Sequence, residues 1–278
     1  MKNIVIYLMV GVICSGFTAL AQDGASTNNA ADTDRLKPKA GDFGIGISAI
    51  PYLNFLGNFD TDLNLGDQTL YGKYFLTDAT AIRAVLSMNN YTQISNLYAQ
   101  DDAAIALDPT STAQVIDTRK IKSYNMGLTL GYEIRKDRNR FTFLYGPYAG
   151  YQYSTSNTAY THGNPISALN VNPSSNWAGS ASGRTLSSDN GITHTLSGGL
   201  FAGIEFFIAK QFSVGADFTL AYSYAWSSQA DAKYEAWDGT QVYEFDRPTS
   251  PGNKSRALST NQYSSPTAAG AIYIQFYF

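Results

Sequence analysis

Residues 211–226 alternate without a break. Phe212, Val214, Ala216, Phe218, Leu220, Tyr222, Tyr224 and Trp226 share one parity, and Ser213, Gly215, Asp217, Thr219, Ala221 and Ser223 share the other. Successive strand side chains point to opposite faces, whereas a helix of period 3.6 would scatter the two sets around its surface. The segment therefore predicts a strand with one large apolar face and one small or polar face. Residues 123–135, 140–154 and 193–208 repeat the pattern, and 42–53, 68–76, 80–90 and 267–278 repeat it more weakly. Pro147 cannot donate to a ladder, which predicts a bulge or bend within 140–154.

These segments make eight strands, and their connections alternate in length. Residues 77–79, 136–139 and 209–210 are tight turns, whereas 54–67, 91–122, 155–192 and 227–266 are long and polar. Transmembrane barrels combine short periplasmic turns with long extracellular loops. The pattern predicts an all-β fold over residues 42–278, an eight-stranded antiparallel up-and-down transmembrane β-barrel with both termini in the periplasm. A soluble β-sandwich would also alternate, but it would bury its aromatic face and gives no reason for short and long connections to take turns.

The start of the chain predicts export. Lys2 precedes an apolar run from Ile4 to Leu20 and the small-residue box Ala19-Leu20-Ala21, the layout of a signal peptide over residues 1–21. Residues 22–41 hold almost nothing to bury and predict a disordered periplasmic tail. The single cysteine, Cys14, lies within the apolar run behind the bulky Ile13, which argues against lipid attachment, and no disulfide framework exists beyond it.

Composition agrees with a membrane barrel. Aromatic residues reach 14%, with 20 tyrosines, against 15% charged residues, as aromatic girdles around a lipid-facing band require. A net charge of −3 supplies no basic field for nucleic acid.

Eight strands enclose an interior just wide enough for side chains to fill. Lys73, Arg83, Glu133, Arg135, Glu205 and Asp217 fall on the inward parity, a near-balanced set that predicts a salt-bridged plug rather than a narrow ion path. Chemistry is sparse. His162 and His194 are the two histidines, expected as a solvated loop residue and an interfacial girdle residue. No catalytic set, cofactor site or metal site is expected, and Asp231, Asp238, Glu244 and Asp246 lack calcium-loop spacing. The large aromatics of the long loops, Tyr160, Trp177, Tyr234, Trp237, Tyr243 and Phe245, are the candidate contacts for a protein or glycan partner.

Several stretches resemble a known family. Gly72 to Asp78 (GKYFLTD), Gly131 to Asp137 (GYEIRKD) with Phe143-Leu144-Tyr145-Gly146-Pro147, Tyr160 to Asn164 (YTHGN), Gly203 to Phe207 (GIEFF) and Lys233 to Asp238 (KYEAWD) are similar to the small outer-membrane β-barrel proteins of the Bacteroidota, distantly like the OmpA, OmpX and OmpW barrels. The resemblance implies a location in the bacterial outer membrane, with lipid and lipopolysaccharide as surroundings. The alternating Ile272, Ile274, Phe276 and Phe278 resemble the C-terminal signal read by the barrel-assembly machinery. It implies no reaction. The expected function is non-enzymatic presentation of extracellular loops or support of envelope integrity. An OmpW-like conduit for small hydrophobic molecules and an outer-membrane lipid A-modifying enzyme are the alternatives.

Overall fold

The computed structural model describes residues 36–49, 68–177, 179–180, 183–260 and 271–278. The expected signal peptide, most of the expected tail and the first expected loop lie outside them. The strands are β1 (Phe43–Ser48), β2 (Gln68–Thr77), β3 (Thr80–Gln100), β4 (Gln114–Arg138), β5 (Phe141–Thr161), β6 (Gly179–Ser180), β7 (Gly183–Ala209), β8 (Phe212–Ser227), β9 (Ala230–Trp237), β10 (Val242–Ser250), β11 (Lys254–Thr260) and β12 (Ala271–Tyr277). A short helix, α1 (Asp102–Leu107), joins β3 to β4.

Eight of these strands close on themselves. Antiparallel pairing runs β1–β2–β3–β4–β5–β7–β8–β12 and returns from β12 to β1. Closure removes the free sheet edges that would otherwise recruit another chain. The turns at one end, here the lower end, are tight. Asn139 and Gln211 take the left-handed conformation there, at φ 52° and 62°, which places the turns one or two residues beyond the expected positions. The β4–β5 ladder is interrupted at Pro147, between Gly131↔Tyr148 and Ile134↔Tyr145, but the register is the same on either side, so the gap is not a bulge.

Parity decides which side chains enter the ring. Along β8, Ser213, Gly215, Asp217, Thr219, Ala221 and Ser223 are buried, while Phe218 is 50% exposed. Leu200 on β7 is 60% exposed, and Leu130, Phe143, Leu196, Tyr222 and Phe276 are also exposed. The ring is therefore apolar without, the reverse of a soluble sandwich, and admits small, polar and charged side chains within.

The interior is layered from the lower end upward. Phe75, Ala81, Phe207 and Tyr277 form an apolar floor. The charged side chains follow, and above them Tyr71, Val85, Leu144, Tyr148, Phe201, Ala221 and Tyr273 form a second apolar layer. Inward glycines make the room. A Cβ on Gly215 would collide with the Tyr273 ring, and one on Gly131 would lie 3.1 Å from Arg83 Cγ and 3.3 Å from the Phe201 ring.

Three expectations are corrected. The end of the expected tail is not free. Leu36 packs on the apolar floor, Pro38 is buried, and Lys37 bonds the Phe141 carbonyl at 2.8 Å and Asp137 at 3.1 Å, so residues 36–41 strap the lower opening. Backbone bonds hold it too, the Gly41 N–H donating to the Phe75 carbonyl at 2.8 Å and the Ala40 N–H to Asp78 at 2.9 Å. The second and third long connections are not irregular loops, because β3, β4, β5 and β7 continue well past the expected strand ends. Ladder pairing there continues without apolar alternation, since both faces of these extensions meet polar surroundings. The fourth connection folds as well. β9 pairs with the upper part of β7, β10 pairs with β9, and β11 pairs with the upper part of β8, directly above β12. The sheet thus has more strands than the eight of its ring, and a crown of β-structure stands on the upper end.

Candidate functional site

The six predicted lumen charges meet within the ring. Lys73 Nζ lies 3.2 Å from Glu133 and 3.4 Å from Glu205. Arg135 bridges Glu133 at 3.0 Å and Glu205 at 3.3 Å, while Arg83 bridges Asp217 at 2.5 Å and Glu133 at 3.6 Å. All six are buried. Three cations face three carboxylates, so the desolvated charges are balanced. Further hydrogen bonds come from Ser213, which donates to Glu205 at 2.5 Å, from Tyr277, which donates to the same carboxylate, and from Tyr273, which donates to Asp217 at 3.2 Å. Rings complete the shell, with Arg83 4.5 Å above Phe201 and Arg135 4.7 Å above Phe75. Ser213, Tyr273 and Tyr277 were not singled out from sequence. Their inward parity, beside the predicted charges, is the signal that marks them.

The outer rim carries an aromatic cluster. His194 accepts or donates a 2.6 Å hydrogen bond with the Tyr151 hydroxyl, stacks on Trp226 at 5.3 Å, and meets Tyr153 edge-on. Tyr124 and Tyr224 extend the cluster along the outward face. His194 stands where parity placed it, on the outward face among aromatic rings.

His162 is not the solvated loop residue expected. Its side chain is almost fully buried beside Asp117, with Nδ1 3.9 Å from the carboxylate. Nε2 lies 2.9 Å from the Thr185 carbonyl, which only accepts, so the proton sits on Nε2. Asp117 also accepts from the Gly163 backbone N–H at 2.8 Å. The ring stacks on Tyr160, and among the described residues neither histidine has a serine hydroxyl or thiol in its hydrogen bonds.

The candidate loop aromatics separate into two groups. Tyr160 and Trp177 face the crown's interior, Trp177 lying 5.2 Å from the Arg119 guanidinium. Tyr234, Tyr243 and Phe245 stack on one face of the β9–β10 hairpin, with ring centroids 5.4–5.5 Å apart, and Trp237 lies across from Val242 on the other face. No single aromatic surface unites all six. The acidic residues of this hairpin serve local roles. Asp238 is held below the usual carboxylate range by the backbone N–H groups of Gln241 and Thr240, and Lys233 is raised by Glu244 at 2.5 Å. No group of three metal-ligating side chains exists among the described residues.

Asn164 ties the crown together. Its amide nitrogen donates to the Gln100 carbonyl at 2.7 Å and to Ser174 and Ser175, while its amide oxygen accepts from the Asp102 N–H at the start of α1. Arg184 donates to the Asn164 and Ser175 carbonyls and bridges Glu235 at 2.7 Å, which joins β7, β9 and the 162–177 segment. Nothing in the sequence joins these residues into one site, because the hub forms only when separate connections fold onto one another.

Below the crown, a cavity of about 200 Å³ opens from the upper lumen between β4, β5 and β7, and its wall is Ser, Thr, Asn and Gly throughout.

No family model matches the chain, and no curated protein matches it. Among solved structures it is similar to the outer membrane protein OprG from Pseudomonas aeruginosa, at 13% identity over 88% of this chain and 99% of that chain, with a TM-score of 0.33.

Proposed function

We propose that the protein is a non-enzymatic outer-membrane β-barrel that presents its crown to the exterior for surface interactions. The observation that carries this reading is the inverted ring, in which exposed Leu, Phe, Ile and Tyr side chains surround a buried salt-bridge network. A closed ring satisfies every ladder donor and acceptor internally, the condition for crossing lipid with strands. On β7 the outward apolar positions from Leu196 to Ile208 cover roughly 40 Å of strand at ~3.3 Å per residue, or about 30 Å along the axis at the usual ~40° tilt. That height suits a hydrocarbon core. The His194–Trp226 cluster would mark one interface, and the pairs Phe141–Phe206 and Phe212–Phe276 the other.

A conduit for small hydrophobic molecules calls for an apolar pocket at the outer end of the lumen, where the cavity described is polar. A lipid A-modifying enzyme calls for an accessible histidine beside a nucleophile or carboxylate, whereas His162 is buried and His194 is stacked among rings.

The test is topological. Arg138→Cys at the lower end and Gln241→Cys in the β9–β10 turn, each introduced singly, are labelled in intact cells with a membrane-impermeant maleimide, and the unboiled protein is run beside the boiled one. Labelling of Gln241→Cys alone, with faster migration before boiling, is the expected result. Labelling at both positions, or no change in mobility, would overturn the membrane reading.

A further inference from the structure

We propose that the upper lumen is a binding site for a neutral polyhydroxylated ligand, a sugar or short oligosaccharide. The inference goes beyond the membrane reading and does not depend on it, because it rests on the interior wall alone. Ser123, Asn125, Ser154, Ser156, Asn190 and Thr193 line the cavity, and no charged or large apolar side chain joins them. Ser123, Asn125, Ser154 and Ser156 lie on the same parity as the buried Glu133 and Leu144 further down their strands, so they face inward.

The cavity coincides with a break in the ladder. Thr155 pairs with Ile192, but Asn157 pairs with Asp189, so β7 carries an extra residue opposite β5. Bulges of this kind redirect side chains and recur beside functional sites. The geometry of this one is enforced. Gly191 has φ +75°, and a Cβ there would lie 2.7 Å from the Gln229 carbonyl oxygen and from the Ser228 hydroxyl. Asp189 accepts from the Gly191 N–H at 2.9 Å, and Ser228 accepts from the Ile192 N–H at 2.8 Å. The bulge is thus pinned on both sides, and it sets Asn190 at the cavity wall.

The chemistry of the wall selects the ligand class. Hydroxyls and carboxamides donate and accept, which is what vicinal sugar hydroxyls need from a partner. Among the described residues of the wall, Ser123 and Ser156 are paired with each other, at 3.1 Å, and the amides of Asn125 and Asn190 are placed to meet a ligand. A charged ligand would lose water without gaining a counter-charge, and an apolar one would leave the wall's polar groups unsatisfied. The contrast with the lower lumen is sharp. There three cations meet three carboxylates, whereas here neutral donors and acceptors line the wall.

The full mature chain, folded in a detergent without a sugar headgroup, is titrated with maltose, glucose 6-phosphate and indole. Binding is read by calorimetry and by the amide resonances of Asn125, Asn190, Gly191 and Thr193. Maltose is expected to bind with a dissociation constant on the order of 1 mM and to shift those resonances, with glucose 6-phosphate and indole at least tenfold weaker. The near-isosteric double variant Asn125→Leu/Thr193→Val, shown to be folded by its heat-dependent mobility, is expected to weaken maltose at least tenfold. Silence with maltose up to about 50 mM, equal or tighter binding of the phosphate or of indole, or unchanged affinity in the folded double variant would each overturn the proposal.

Discussion

Glu205 shows most directly how this interior is held. It accepts from Lys73, Ser213 and Tyr277 and pairs with Arg135, so its removal would leave two buried cations sharing Glu133 alone. Breaking a buried pair costs about 3–5 kcal/mol, because the desolvated partner remains. Glu205→Gln is expected to lose that amount in urea unfolding of the protein in lipid vesicles, and a loss below about 1 kcal/mol would mean that water screens the network. The charges themselves were legible from sequence, since period two assigns a face to each residue of a strand with no knowledge of its neighbours. Their partners were not. Whether Arg83 meets Asp217 or Glu205 depends on which strands adjoin across the ring and on the stagger between them, and neither is encoded within a single strand. His162 makes the same point. Its burial comes from Asp117 and Thr185, residues far apart in the chain that meet only in the folded crown.

At the scale of elements, legibility ended where the apolar face ended. Within the apolar belt the alternation of large apolar and small polar residues marks strands clearly. Above it, β3 and β4 still pair from Asn90↔Tyr124 to Gln100↔Gln114, yet with polar surroundings on both sides nothing in the sequence need alternate. The crown is therefore held by local polar contacts, and these respond to pH. Burial pushes the Asp102 carboxyl up, but hydrogen bonds from Ser174 and Asn170, with Arg184 nearby, outweigh it and hold the group below its usual 3.8. A depressed folded value means the contribution is complete above about pH 3.8 and is lost as pH falls through the folded value. Acidification below that point should loosen α1 and the 162–177 segment before the ring opens. The check is Trp177 fluorescence against far-ultraviolet circular dichroism on an acid titration. A change in the two signals at the same pH would show that crown and ring are one cooperative unit.

At the scale of the whole molecule, the ring is sealed at three successive heights: the strap of residues 36–41 with the apolar floor, the ionic layer, and the Tyr148–Phe201 layer. Layers in series mean that no single one controls passage. An eight-stranded circumference permits such layers, since side chains from facing walls reach one another across it. Removing residues 22–41 should therefore leave a folded protein that still passes no steady current in planar bilayers. The strap's Lys37 bonds are at the surface, with Asp137 largely exposed, so their loss costs little, and Leu36 covers a floor that Tyr277 and Phe207 already fill. An ohmic current in the truncated protein would assign the seal to the strap, and the ionic layer would then have to be a water-filled path. A silent truncated protein leaves the crown and the hydroxyl-lined cavity beneath it as the places where this molecule can meet a ligand from outside, because the Tyr148–Phe201 layer lies between that cavity and the ionic network.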